Sequence, residues 1–506
     1  MELLIREETF EFMNTVYSDT LTTEGETEKV VPDAMADVTE IVYTDGVILL
    51  RSKEALSGRV TIAGTAEISV ACRTEKGNIG CMRFEVPVSA SGEAPGITTD
   101  SAIVAEMSLT ACEVRLTNPR KLQIKVSASA VVTCYEHIEL KIPSGVYDAE
   151  QAELLTNTDD VTAVASAFEK TFVIGDEFKL PGIKPDIGEV LSASVQINTD
   201  ETKSVGTKLI VRGTIFSSVI YNPADGGETD NVEFSVPFSQ IIDTEFQTEE
   251  LIFEVKTALT GAFLSQVGSN RSITYEVHAV AQCIAYTKRS ITYLSDIFST
   301  RYELQTEMKT AVISGVSGFE ETTGSLRGKI ETPFQVKNVI TSWARCNKSR
   351  LDYSNDSPTL SASLAVTVLF LDNSGNLHSV SQSFEVEAAL PEGPGTTAVI
   401  ASTSPKDVYA SVAEQGIDVR AQLYFSVKRR LSTQLPMVHN VSYNEEIKID
   451  YSGTPSLIMH RTLAGETLWE LSKRCRSSVG LIISANDLEA VNEVEEGTML
   501  IIPKKR

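Results

Sequence analysis

The sequence predicts a mainly β protein, built from tandem antiparallel β-sandwich-like repeats and completed by a small C-terminal βααβ domain. Three observations support this prediction. Hydrophobic residues make up 42% of the 506 residues, which is typical of a globular chain rather than a disordered one. Long segments alternate apolar and polar residues, as half-buried strands do. The same pattern recurs along the chain, which indicates repeated units of similar fold.

The clearest repeat is a proline-containing leader followed by a hairpin. The leader spans 31–42 in the first copy and 180–191 in the second, and both contain Asp-apolar-x-Glu after an apolar-Pro start. A Gly-Thr pair follows each leader at the same interval, at Gly64 and at Gly213. Period-two alternation around a Gly/Asn/Asp turn then predicts two antiparallel strands. Each copy ends in a long alternating strand.

A third copy is weaker. Residues 364–370 alternate into the polar turn 372–376, and the return strand 384–386 follows without the proline of the first two copies. We interpret 296–298 as its shortened leader. We expect residues 148–170, which include a run of helix-forming residues, to be a linker or short helix. The predicted domains are 1–145, 165–290 and 291–435 for the β repeats and 455–506 for the C-terminal domain.

The C-terminal segment predicts strand, turn, helix, helix and strand. Gly465 gives the turn after the first strand its backbone freedom, and Thr467 is placed to cap the helix that follows. Leu468 and Leu471 recur at helical spacing and predict its buried face. Asn486 predicts a left-handed turn at the end of the second helix.

Three landmarks of this segment together resemble a LysM domain: Gly-Glu-Thr-Leu-Trp at 465–469, Ala-Asn-Asp-Leu at 485–488 and Leu-Ile-Ile-Pro at 500–503. LysM domains bind N-acetylglucosamine-containing glycans in a shallow groove formed by two turns, so the resemblance implies such a groove here. By that resemblance, the residues that line it are Gly465, Glu466, Thr467 and Leu468 on one side and Ile483, Asn486 and Leu488 on the other.

Three positions depart from the usual LysM pattern. Ala464 stands where a proline is common, Glu466 where an aspartate is usual, and Arg476 where a small residue often follows the first helix. These departures favour a groove that prefers a ligand other than sugar. Aromatic and arginine side chains are enriched where proteins bind each other, which suggests a second candidate surface for protein contact. Its residues are Trp469, Lys473, Arg474 and Arg476.

These residues also have purely structural interpretations, which the sequence leaves open. Thr467 can serve only as a helix cap, and Asn486 only as a turn residue. Trp469 can be half-buried support instead of a partner contact. The basic cluster at Lys473 and Arg474 can simply face solvent.

In the second copy, Leu-Ile-Val-Arg-Gly-Thr at 209–214 leads to Val-Pro-Phe-Ser-Gln at 236–240. With the leader, this hairpin resembles the SPOCS domain of endospore-forming bacteria. SPOCS repeats followed by a LysM domain are the arrangement of SipL-type spore-envelope morphogenetic proteins. The resemblance implies a scaffold or adaptor in coat and cortex assembly, located in the mother-cell cytoplasm at the forespore surface. It implies as partner the stage IV sporulation protein A type ATPase of the coat basement, docked by the LysM domain.

Composition and charge bear on the alternatives. The net charge of −25 disfavours nucleic acid and anionic membrane surfaces as partners. No apolar run approaches the roughly 20 residues of a membrane span, so no membrane insertion is expected. The first residues lack the pattern of a secretory signal, and seven scattered cysteines are typical of free thiols in a reducing cytoplasm. The alternative function is an exported LysM protein that binds peptidoglycan or other N-acetylglucosamine glycans.

Catalytic patterns are not apparent in the sequence. The five histidines are far apart, and no Walker-type loop, nucleophile elbow or dinucleotide fingerprint occurs. The polar turn at 372–376 lacks the glutamate that would complete a calcium loop, so a hairpin turn is expected there. We therefore predict a protein that is not an enzyme, with no catalytic residues, no metal and no cofactor.

Overall fold

Most of the chain forms β-strands that follow one another as hairpins, because short polar turns join the alternating segments. The structure is a computed structural model, and it describes residues 2–147, 152–244, 246–247, 251–266, 270–353, 358–390, 397–488 and 494–504. Within these residues the strands form three successive sets of six, named unit one, unit two and unit three, and a C-terminal module follows them.

Each unit begins and ends with a long strand. Unit one contains β1 (Ile5–Val30), β2 (Val38–Leu56), β3 (Arg59–Thr74), β4 (Ile79–Glu93), β5 (Ala102–Asn118) and β6 (Lys121–Val146). Unit two contains β7 (Ala152–Lys179), β8 (Ile187–Val205), β9 (Lys208–Pro223), β10 (Asp230–Asp243), β11 (Ile252–Gln266) and β12 (Ser272–Ser299). Unit three contains β13 (Tyr302–Ile330), β14 (Val336–Asp352), β15 (Thr359–Asp372), β16 (Leu377–Ala389), β17 (Thr397–Ala413) and β18 (Gly416–Lys448). The module contains β19 (Leu457–Arg461), α1 (Leu468–Cys475), α2 (Val479–Ala485) and β20 (Met499–Pro503).

Every unit is a sandwich of antiparallel sheets. The second, third and fourth strands form one sheet, and the first, sixth and fifth strands form the facing sheet. The sheets formed by the first, sixth and fifth strands of units one and two join each other through the pairing of Met13 with Val164. The result is a six-stranded sheet in the order β5-β6-β1-β7-β12-β11. The predicted mainly β fold with tandem sandwich-like repeats is confirmed.

The alternating strands supply the sandwich cores because one side chain in two points inward. In unit one, Ile124 and Val126 of β6 belong to the same apolar cluster as Ile68 of β3 and Val86 of β4. The hairpins predicted around the polar turns are confirmed in all three units, where β3 pairs with β4, β9 with β10 and β15 with β16.

The long strands continue past the sandwiches as three two-stranded ribbons. Residues 5–15 pair with 135–146, 152–166 with 285–299, and 302–316 with 430–448. We name these three ribbons the stem. Each ribbon contributes side chains to one common core, so the three units form a single body. That core contains Phe12, Ile142, Val161, Ala163, Ile291, Tyr293, Ile313, Leu435 and Met437.

The linker or short helix expected at 148–170 is wrong. From Ala152 onward this segment is strand β7, which pairs with β12 along its length. Burial of Val161 and Ala163 in the stem core overrides the helix-forming composition of the segment. Residues 149–151, where the helix-forming run starts, lie outside the described residues.

The shortened leader expected at 296–298 is also wrong, because these residues lie in β12 of unit two. The leader position of unit three is 331–335, between β13 and β14. In unit two the leader turn wraps around Arg271, whose guanidinium donates to the carbonyls of Pro181 at 2.9 Å and Lys184 at 3.2 Å. Arg120 does the same in unit one. The matching turn of unit three carries Gly416 instead, so the leader of unit three has no arginine at this position to wrap.

The six-strand sets extend over 5–146, 152–299 and 302–448. The domain boundaries drawn from the sequence stay a prediction. In the described part of the chain, no helix is both long enough and apolar enough to cross a bilayer.

Candidate functional site

The C-terminal module is a two-stranded sheet whose inner face packs against two short helices. β19 and β20 pair antiparallel, with Leu457 opposite Pro503 and Arg461 opposite Met499. Both helices and the inner face of the sheet contribute to one apolar core. Its buried residues are Leu468, Leu471, Ile482, Leu500 and Ile502.

Thr467 begins α1 as predicted. The backbone N–H of Glu470 donates to the Thr467 hydroxyl oxygen at 3.2 Å, and the N–H of Thr467 donates to the Glu470 carboxylate at 3.1 Å. This reciprocal pair is a capping box, which satisfies two amides of the first helical turn. The cap prediction is confirmed, and the hydroxyl of Thr467 is engaged within the module.

Glu466 lies in the first turn of the predicted groove, but its carboxylate faces the module. Arg474 donates to it at 2.5 Å and the N–H of Leu463 at 3.1 Å, and His460 Nε2 lies 2.7 Å from it. Burial opposes ionisation of this carboxyl group. The hydrogen bonds from His460, Leu463 and Arg474 outweigh that effect and lower the pKa of Glu466 to about 2. Glu466 is therefore an ionised structural acceptor.

Asn486 lies in the second turn and joins α2 to β20. Its side-chain amide donates to the carbonyls of Ile482 and Ile501, both at 2.7 Å, and its carbonyl oxygen accepts from the N–H of Ile501 at 2.7 Å. The left-handed turn predicted at Asn486 is wrong by one residue. Asn486 has φ −118°, and the left-handed residue is Asp487, with φ +51°. The bonds to Ile501 hold Asn486 at negative φ, so the chain turns one residue later.

The other predicted groove residues divide between surface and core. Gly465 is exposed at φ +71°, with no atom within 4 Å of where a Cβ would stand. Leu468 is fully buried and supports the first turn from beneath. Ile483 and Leu488 are half-buried against the same apolar core. The structure thus brings both turns onto one core, and the groove stays a prediction.

Three of the four side chains predicted as a protein-contact face contact the stem of the same chain. Trp469 is 6% exposed, its indole N–H donates to Asp296 at 2.8 Å, and its ring meets Phe298 edge-on with centroids 4.9 Å apart. The Lys473 ammonium lies 2.7 Å from both carboxylate oxygens of Asp296. Arg476 donates to Glu303 at 2.6 Å. Arg474 instead turns to Glu466 and joins the first turn.

The segment before β19 reinforces this attachment. The Tyr451 hydroxyl donates to the carbonyl of Thr300, which lies between two strands of the stem, β12 and β13, and it lies 3.5 Å from the carbonyl of Arg476 in the module. The Lys504 ammonium lies 5.8 Å from the centroid of the Tyr451 ring. Tyr451 therefore touches both the stem and the module and limits their relative movement.

Sequence reasoning missed the partners of these predicted residues. His460 follows Ile458 by two residues and lies on the same inner side of β19, so strand periodicity could have placed it near the helices. Asp296, Phe298 and Glu303 gave no comparable signal. Asp296 precedes Trp469 by 173 residues, and their contact follows from the stem, which the sequence did not reveal.

Comparisons with known families match both parts of the chain. A model of the SipL SPOCS domain matches residues 186–261, which cover the middle of unit two, and a LysM domain model matches residues 460–503. A search of curated proteins found no match. Both families are binding or scaffold domains rather than catalytic ones. The chain therefore has the SipL-type architecture, in which a SPOCS-containing β-scaffold precedes a C-terminal LysM domain.

Proposed function

We propose that this sporulation-related LysM protein is a non-enzymatic adaptor in spore coat and cortex assembly. It works in the mother-cell cytoplasm at the forespore surface, where the LysM domain docks the stage IV sporulation protein A type ATPase of the coat basement. The β-scaffold holds the LysM domain in a fixed orientation. The SPOCS and LysM matches support the sporulation role, and the geometry of the groove supports a protein partner.

The observation that carries this proposal is that the polar side chains of the groove are already engaged. The carboxylate of Glu466, the amide of Asn486 and the hydroxyl of Thr467 all form hydrogen bonds inside the module. A sugar site needs a few well-placed polar groups that are free to pair with the ligand. Diverting these three side chains to structural bonds weakens the case for a glycan ligand and so favours a protein partner.

Charge distribution agrees with a docking role. In the tail from Ser456, acidic and basic residues balance, so the scaffold carries essentially all of the net charge of −25. The scaffold therefore repels acidic molecules and stays soluble, while the neutral LysM domain can approach an acidic or a basic partner.

A second candidate function is favoured by the LysM match itself, because LysM domains bind N-acetylglucosamine glycans. In that case the protein is exported and binds peptidoglycan. The two functions demand different ligands for the same domain, which makes a direct comparison of ligands informative.

The test uses the full chain in parallel assays with purified ATPase and with purified peptidoglycan. We expect saturable binding to the immobilised ATPase and no co-sedimentation with peptidoglycan above the level of a chain truncated after residue 455. Binding to peptidoglycan without binding to the ATPase would contradict the proposal and establish the second function.

A further inference from the structure

The outer face of the LysM hairpin exposes a cluster of large apolar side chains. Leu457 is 52% exposed, Met459 65% and Met499 55%. Isolated exposed apolar residues are ordinary on a soluble protein, but contiguous ones mark interaction sites. These three lie within two strands of five residues each.

Strand pairing makes the cluster contiguous. Met459 is opposite Ile501, and Leu457 is opposite Pro503, while Met499 lies diagonally from Met459 beside Arg461. The alternate residues of both strands, such as Leu500 and Ile502, face the helices and form the module core. The cluster therefore occupies the face of the sheet that neither α1 nor α2 covers. We name it the hairpin face.

The hairpin face is bordered by positive charge and carries no carboxylate. Neither β19 nor β20 contains an acidic residue. Arg461 is exposed at one end, where its guanidinium donates to the carbonyl of Gly497 at 3.3 Å. Lys504 at the other end turns to the helix side instead, where its ammonium lies 5.8 Å from the centroid of the Tyr451 ring. Within the described ranges, no carboxylate oxygen lies within 4 Å of the Arg461 guanidinium.

We propose that the hairpin face docks an amphipathic segment of the protein partner, with an apolar stripe and a carboxylate at one end of it. This inference rests on the proposed function and specifies the surface that performs it. The α1 face is occupied by the stem, whereas a partner reaches the hairpin face without displacing Asp296 or Phe298.

The chemistry of the face selects this occupant. Methionine side chains are flexible and polarisable, so they adapt to the apolar residues of a partner segment. Arg461 complements a carboxylate at one end of that segment. A second copy of this chain fits less well, because neither strand of its own sheet offers a carboxylate to pair with Arg461.

The test measures binding of full-length variants to the purified stage IV sporulation protein A type ATPase. Met459→Glu and Met499→Glu are expected to raise the dissociation constant by about tenfold or more, since they place charge in the apolar centre of the face. Arg461→Glu is expected to weaken binding less and to reduce its salt dependence. Met308→Glu is the matched control, because Met308 is 53% exposed on β13 outside the module. Its binding should equal that of the wild type.

Each outcome separates this inference from the proposed function. If the wild type and both hairpin variants bind equally, the hairpin face is not the docking surface, although the adaptor function stands. If the wild type does not bind the ATPase, both fail. If light scattering shows a wild-type dimer that Met459→Glu converts to a monomer, a second copy covers the face and the assignment to a partner is overturned. Far-ultraviolet circular dichroism checks folding, and Met459→Ala, with an expected loss of about threefold, replaces any variant that fails to fold.

Discussion

Unit three packs against unit two and the LysM domain packs against the stem, but through different kinds of contact. Unit three approaches so closely that a Cβ on Gly315 would stand 1.9 Å from the carbonyl oxygen of Thr162. Beside that contact, the Lys428 ammonium of unit three lies 2.7 Å from the Glu254 carboxylate of unit two. Both Glu254 and Thr162 are buried.

The LysM domain uses contacts that remain partly open to water. Asp296 accepts hydrogen bonds from Trp469 and Lys473, and the ion pair between Arg476 and Glu303 is largely exposed. The edge-on contact of Trp469 with Phe298 adds apolar support to this attachment. Unit three is therefore an integral part of the scaffold. The LysM domain, in contrast, should detach at a smaller cost in free energy.

The largest loss of stability is expected where the backbones of Gly315 and Thr162 approach each other. Gly315→Ala should lower the free energy of unfolding by about 3–4 kcal/mol, because neither strand can move aside without opening the contact between units two and three. Gly318→Ala on the same strand is the control, since no atom lies within 4 Å of its added Cβ. Urea unfolding curves measure both, and equal stability of the two variants would contradict the close approach.

The buried charge pair should give the next largest effect. Burial opposes ionisation of Glu254, but the charge of Lys428 outweighs it and lowers the pKa of this carboxyl group. Glu254→Ala should therefore cost about 3 kcal/mol, because it leaves the Lys428 ammonium buried with only the Tyr286 hydroxyl at 3.0 Å. Adding Lys428→Met should restore most of the loss. A double variant no more stable than Glu254→Ala would show that the pair is not coupled.

Detaching the LysM domain should require a smaller loss of free energy than disrupting the contact between units two and three. Asp296→Ala removes the acceptor of both Trp469 and Lys473 and should weaken the attachment by about 1–2 kcal/mol. In a Trp343→Phe background, Trp469 emission should shift to longer wavelength, while the urea midpoint of the scaffold stays unchanged. Glu303→Gln is the control, because loss of its exposed ion pair should cost no more than about 0.5 kcal/mol. A scaffold that unfolds together with the detached domain would refute the distinction.

Acid should loosen the LysM domain through Glu466. Its pKa of about 2 in the folded chain lies below the ordinary value of about 4.3, so its stabilising effect is fully present above about pH 5. That effect is lost as the pH falls from about 4 towards 2, when the carboxylate is protonated. Urea unfolding of the LysM domain, followed by hydrogen exchange, should show this loss. Glu466→Gln should remove that part of the pH dependence, and an unchanged profile would count against the role of the network.

The sequence revealed structure that depends on neighbours along the chain. Alternation and polar turns located the hairpins, and Thr467 located the start of α1, because turns and caps are decided within a few residues. The leader motif was visible as a repeat, but the contacts that the leader makes were not. Arg120 and Arg271, which the leaders wrap, lie far along the chain from them.

Contacts between units could not be predicted in this way. The stem brings together residues as distant as Phe12 and Met437, and strand periodicity is satisfied equally well by many other pairings. The attachment of Trp469 to Asp296 depends on the stem in turn. The sequence therefore predicted the turns and the cap inside the module, the groove stays a prediction, and the contacts between module and scaffold were missed.

The common core of the stem also sets the timing of folding during synthesis. One apolar cluster of unit one is built from its own strands and can close soon after β6 leaves the ribosome. Phe12 and Tyr293, by contrast, wait for Leu435 and Met437, which are made much later. Until then two ribbons have apolar faces without their full set of neighbours, and uncovered strands aggregate readily. We therefore expect completion of the stem, which joins residues far apart in the chain, to be a late step of folding.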